Sequence, residues 1–418
     1  VLFKMKLSLL ALSLGFTALS AVKADVAPYG QCGGTLRNIQ ALPIKARPLA
    51  PPDGSAYTRT TTTVNVSPVL AQYHQAAGHP ALRDHPAPRG PPAPQEQPAQ
   101  LGPPLVARGP PPARGLPRLA GLRALLSRAP AGGVTGWAAL GGTTGGQGGP
   151  TTRVSTLADL KTAVSGDSAK IVVLTASLSG NEVVSVGSNT SLYGASGSVT
   201  LTGIGIRVNK VSNVIIRNLK ITKVLADAGD AIGVQEASKV FIDHVDLSSD
   251  RDHDKDYYDG LADITHGCTY VTLSNSYLHD HWKTVLIGHS DSNASEDTAM
   301  TVTVNNNYFK NLNSRGPSFR FGKGHIYNNY YQDMNDGINT RVGAVLRVEN
   351  NVWTGTCSSA LYSTDGGYAD ASGNDFGTCE SGNTALAGSI SIPYSYSLLP
   401  TSSVASSVVA NAGAKLSF

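Results

Sequence analysis

The chain of 418 residues is long enough for two or three average domains, or for one large all-β domain with appendages. Its net charge of +4 hides an asymmetry: residues 1–132 carry 14 Lys and Arg against 4 Asp and Glu, which leaves residues 133–418 at −6. That mildly acidic part lacks the broad basic face of a nucleic-acid binder, so local cations must hold any anion it binds.

Lys4 and Lys6 precede an apolar run over residues 7–22, and Val22-Lys23-Ala24 offers small residues for cleavage. Residues 1–24 read as an export signal, too short and wrongly flanked for a membrane anchor, and no later segment has a transmembrane length. The expectation is a secreted, extracellular protein with no membrane partner. Export permits disulfides. Cys357 and Cys379 bracket a Gly/Ser/Asp-rich segment and form the expected pair; Cys268, beside an apolar strand, reads as a buried free thiol, and Cys32 has no evident partner.

Within residues 25–34, the run Ala27-Pro28-Tyr29-Gly30-Gln31-Cys32-Gly33-Gly34 resembles the opening of the small fungal cellulose-binding module. The next cysteine is Cys268, so the staples that so small a fold needs are missing and the segment reads as a remnant. Residues 35–132 are rich in Pro, Ala, Gly and Arg, and 20 of the 24 prolines lie at or before Pro130. With neither a 2.0 nor a 3.6 period, this stretch reads as a disordered linker, or as one translated from a wrong frame.

Residues 133–418 repeat a phrase in which several β-branched residues precede asparagine or histidine. It occurs at Val214–Asn218, Val240–His244, Val271–Asn275, Val302–Asn306, Gly324–Asn328 and Leu346–Asn350. The intervals of 26, 31, 31, 22 and 22 residues signal a solenoid rather than a sandwich. Each repeat is expected to form one coil of a right-handed parallel β-helix, with those asparagines stacked as an amide ladder and the longer coils carrying functional loops. One helix is expected over residues 156–164, capped by Ser155 or Thr156.

Acidic residues cluster at Asp227 and Asp230 and again at Asp250, Asp252, Asp254, Asp256, Asp259 and Asp263. Hard oxygen ligands from separate coils suit a calcium ion, although the spacing is not that of an EF-hand, and a solvated acidic loop has the same composition. Lys283, Arg315 and Arg320 follow on later coils. The two arginines are five apart around Pro317, so a bend must intervene for them to cooperate. Trp282, His279, His281 and His289 surround Lys283, as groove lining or as packing against the next coil. Asn65, Asn189 and Asn293 open glycosylation sequons.

From about Gly136 onward the chain resembles the fungal pectate lyases of polysaccharide lyase family 1. The resemblance rests on Asp230-Ala231-Ile232-Gly233-Val234-Gln235, on Tyr258-Asp259-Gly260-Leu261-Ala262-Asp263, on His279-Asp280-His281-Trp282-Lys283, and on the phrase over residues 315–322 with His325-Ile326-Tyr327-Asn328-Asn329. It implies a parallel β-helix acting on polygalacturonate (pectate), with Asp230, Asp259 and Asp263 as Ca2+ ligands, Lys283 and Arg320 as carboxylate binders and Arg315 as the base. Where the family often has a further acid, Ala228 stands, and Asp227 is its possible substitute. A guanidinium has a reference pKa above about 12, so an arginine base implies crowding by positive charge and an alkaline activity optimum.

Two other enzymes remain as rivals. A pectin lyase acting without calcium on esterified substrate would not need the acidic triad. A hydrolase of the polygalacturonase type needs paired carboxylates and not the Lys283, Arg315 and Arg320 set. A carbohydrate-binding protein without activity would lack the base. A monomer is the default expectation.

Overall fold

A computed structural model of the chain describes residues 133–418. The export signal, the cellulose-binding remnant with Cys32, the linker and Asn65 lie outside the described residues.

These residues form a parallel β-solenoid of about 10 turns. An eleven-stranded sheet runs from Thr151–Val154 to Leu386–Ala387, and a fifteen-stranded sheet holds the remaining strands. The two arms of the larger sheet meet on Thr200–Asn209. Its first half pairs with Lys220–Thr222 and its second half with Ile232–Gln235.

The repeated phrase is the register of the smaller sheet. Val214, Val240, Val271, Val302, Gly324 and Leu346 are successive partners. Two residues on, Ile216, Ile242, Leu273, Val304, Ile326 and Val348 form a fully buried aliphatic column. Burial of each such side chain contributes about 2 kcal/mol. Because coils stack by identical register, residues far apart in sequence stand side by side.

The amide ladder forms one position later than expected. Asn218, His244, Asn275, Asn306, Asn328 and Asn350 all take positive φ, between 47° and 59°. They are the turn residues, because asparagine and histidine tolerate the left-handed region better than most side chains. The turn sends the following side chain inward, so Asn307, Asn329, Asn351 and Asn374 stack, with Nδ2 of each donating to Oδ1 of the next at 2.9–3.0 Å.

A helix over Leu157–Ala163 packs Leu160 into the N-terminal end of the core, and Thr156 Oγ1 accepts the Asp159 N–H at 3.1 Å as its cap. Near the other end Cys357 and Cys379 are joined by a disulfide. Cys268 is buried as a free thiol, held between the Ala237 N–H and the Thr265 carbonyl, and burial pushes it up to about 12. Among the described residues no helix is long and apolar enough to cross a membrane.

Candidate active site

In-register stacking assembles the acidic cluster. Asp230 stands two residues before the strand Ile232–Gln235, and Asp263 lies inside the next strand, Ala262–Thr265, opposite Gly233. Asp259 enters that second strand from the preceding loop. The Gly260 N–H donates to Asp230 Oδ1 at 3.1 Å, and the Leu286 N–H donates to Asp263 Oδ1 at 3.0 Å. A Cβ at Gly260 would come within 2.3 Å of Asp263 Oδ1, so the carboxylates close up only around glycine.

Burial holds Asp230 well above the usual carboxylate range, and the charges of Asp263 and Asp259 push it the same way. Asp263 is also raised by burial, partly offset by Arg315. Carboxylates that repel one another in a desolvated place favour a cation between them. Among the described residues no three carboxylate or imidazole groups yet converge as a closed metal cage. All-oxygen donors of this charge nevertheless suit calcium, whose remaining positions waters or substrate can fill.

Two cations rest on this cluster. Lys283 ends the strand Tyr277–Lys283, and its Nζ lies 3.1 Å from Asp256 Oδ1 and 3.3 Å from Asp259 Oδ1. Arg315 follows the strand Tyr308–Ser314 with φ 65°, and its Nη1 lies 3.7 Å from Asp263 Oδ2. The chain therefore turns at Arg315, ahead of the cis Gly316–Pro317 bond. Arg320 has a different partner. Its Nε lies 2.5 Å from Asp291 Oδ1, and Asp291 also holds Arg341 at 3.2 Å.

The remaining candidates separate. Asp227 accepts from Asn181 Nδ2 at 3.1 Å, and Ala228 is buried in the core, so neither adds a carboxylate to the cluster. His281 is buried beneath the site, with Nε2 2.6 Å from the Asp259 carbonyl; burial brings it down to about 4 and keeps it neutral. His279 pairs with Asp246 and Asp280, and His289 stacks on His266 at 4.1 Å. Trp282 lines a hollow beside Lys283. Sequence reasoning missed Arg207, which faces Gly233 across the sheet and lowers Asp230 by its charge. Its 23-residue distance from Asp230 gives no hint of this, and only the coil register brings the two together.

Desolvated carboxylates meeting fixed cations can bridge a polyanion to a metal and stabilise charge on it. Comparison with known proteins agrees. Residues 116–417 match the family model described as pectate lyase. The chain is 59% identical over 268 residues to a probable pectate lyase A of Aspergillus flavus, covering 63% of this chain and 83% of that protein. It is 57% identical over 287 residues to pectate lyase A of Emericella nidulans, covering 68% and 87%. Among solved structures it resembles a Bacillus sp. N165 pectate lyase in complex with trigalacturonate. That match has a TM-score of 0.60 and 31% identity, covering 67% of this chain and 98% of the other.

Proposed function

This chain belongs to the pectate lyase family and is a polysaccharide lyase, and on that premise we propose that it cleaves de-esterified pectin by calcium-dependent β-elimination. The observation that carries the reading is the meeting of Lys283 and Arg315 with Asp259 and Asp263 on adjacent coils.

Asp230, Asp259 and Asp263 would hold the ion. Bound there, calcium supplies fixed positive charge that draws in a galacturonate carboxylate and makes the adjacent C5 proton more acidic. Lys283 and Arg320 bind and orient uronate carboxylates. Arg315 takes the C5 proton. The electron pair of that C–H bond becomes the C4–C5 double bond, and the C4–O bond breaks with its electrons leaving on oxygen. One product carries a 4,5-unsaturated non-reducing end, and on the other the departing oxygen takes a proton from solvent and becomes the anomeric hydroxyl of a new reducing end. The apolar run over residues 7–22 supports export, with the protein acting outside the cell as a monomer on plant cell wall pectin.

Mass spectrometry of the products of a defined oligogalacturonate tests this. Elimination yields fragments whose masses sum to that of the substrate. Fragments heavier by one water in total would mean hydrolysis and would overturn the reading.

A further inference from the structure

The surface beside Lys283 is hollowed. A cavity of about 300 Å³ is lined by Asp254, whose Oδ1 accepts the Asp256 N–H at 2.9 Å, with Lys255, Trp282, Lys283, Asn313 and Ser314, and a second of about 560 Å³, sharing Asn313, is bounded by Arg251, Lys310 and Asn311 among others. Arg251 stands in the loop between the strands Asp246–Ser248 and Ala262–Thr265. Its guanidinium carbon lies 4.5 Å from the centroid of the Trp282 ring, and Nη1 donates to Asn311 Oδ1 at 3.1 Å.

The loop that carries Arg251 is pinned. Tyr258 Oη donates to Asp250 Oδ2 at 2.8 Å, and Trp282 Nε1 donates to the His253 carbonyl at 2.9 Å. Arg251 is thus a half-buried, positioned cation, and among the described residues it forms no ion pair. A guanidinium that spends one face on an indole and one N–H on a neutral amide retains most of its five donors.

The two carboxylates in the larger cavity are already engaged. Asp280 accepts from Asn311 Nδ2 at 2.6 Å and pairs with His279 at 2.7 Å; Asp333 Oδ1 accepts the Thr356 N–H at 3.0 Å. Lys310, on the next coil, also forms no ion pair, although its charge helps lower Asp280. A positioned guanidinium and a lysine, neither in an ion pair, opening on a hollow that shares Asn313 with the one at Lys283, are what successive uronates of one chain require.

We propose that Arg251, assisted by Lys310, forms an additional carboxylate subsite that binds a galacturonate unit beyond those held at Lys283 and Arg320. The proposal rests on the pectate reading and extends it to the length of chain the groove grips. A bond from guanidinium to carboxylate is charge-assisted, and losing it weakens binding about 10-fold or more.

The test is Arg251→Gln and Lys310→Gln, read by steady-state kinetics on polygalacturonate and by calorimetric binding of pentagalacturonate in an Arg315→Gln background. Arg251→Gln should raise KM about 10-fold, more than it lowers kcat, and Arg251→Lys should recover part of that loss. On increasingly methyl-esterified pectin the ratio of variant to wild-type KM should shrink towards one, because an ester has no charge to lose. An Arg251 that only clasps the loop would lower kcat and the melting temperature, leave KM alone and ignore esterification; that result overturns the proposal. If Arg251→Gln does not fold, Lys310→Gln carries the test, and unchanged pentagalacturonate binding there sinks it. Because calorimetry needs no turnover, a wild-type protein that binds the oligomer but releases no unsaturated product would refute the lyase reading and leave the subsite standing.

Discussion

Lys283 Nζ lies 3.3 Å from Asp259 Oδ1, so a cation assigned to substrate sits on a carboxylate assigned to metal. On the proposed ligand set, an entering ion would compete with the ammonium for Asp259. Lys283→Gln should therefore bind calcium several-fold more tightly by calorimetry while its lyase turnover falls at least about 100-fold. Arg320→Gln is the control, because its charge rests on Asp291 and not on the ligand set. Equal tightening in both variants would mean general electrostatics rather than exchange.

Arg315 approaches Asp263 to 3.7 Å from a backbone position with φ 65°. In the proposed reaction Arg315 takes the proton, a role exercised in the transition state more than in binding. Arg315→Gln should lower kcat by about 10³-fold with KM changed little. A variant that loses affinity while keeping kcat would reassign Arg315 to substrate binding.

Stability should fall on acidification through a residue remote from the site. His325 is fully buried, with Nδ1 2.8 Å from Tyr394 Oη and Nε2 3.2 Å from Glu349 Oε2. Burial brings it down to about 4, only partly opposed by Glu349. Between its unfolded value near 6.5 and about 4, the unfolded chain binds the extra proton, so the neutral histidine's contribution is complete above that window and is lost as pH falls through it. The loss is on the order of 3 kcal/mol. Burial raises Glu349, but hydrogen bonds from Arg347 and Tyr396 hold it below its ordinary value, which extends the loss to lower pH. Melting temperatures of wild type and His325→Gln from pH 7 to pH 4 should converge; parallel curves would contradict the assignment.

Asn329 sits mid-ladder, accepting from Asn307 and donating to Asn351 and to the Val304 carbonyl. Asn329→Ala strands buried polar groups on both neighbouring coils. It should cost about 3 kcal/mol in chemical denaturation with activity per folded molecule retained.

The solenoid was legible because each coil repeats both an apolar strand and a residue that tolerates positive φ. Which of two adjacent asparagines faces inward was not legible, since that depends on the turn at Asn306 or Asn328 and not on residue type. Asp230, Asp259, Asp263, Lys283, Arg315 and Arg320 stood out through motif resemblance. Their partners did not. The contact of Lys283 with Asp256, the capture of Asp227 by Asn181 and the approach of Arg207 to Asp230 all arise from loop path and coil register, which spacing along the chain does not encode.

On the proposed function, this carboxylate and cation cluster performs a calcium-dependent elimination. The most direct measurement follows the ultraviolet absorbance of conjugated unsaturated uronate ends while the protein acts on polygalacturonate, first with calcium, then with excess chelator, then with calcium restored. The expected result is a rise that stops on chelation, resumes on restoration and is absent in Asp263→Asn. A rise that continues through chelation, or new reducing ends without absorbance, would contradict it.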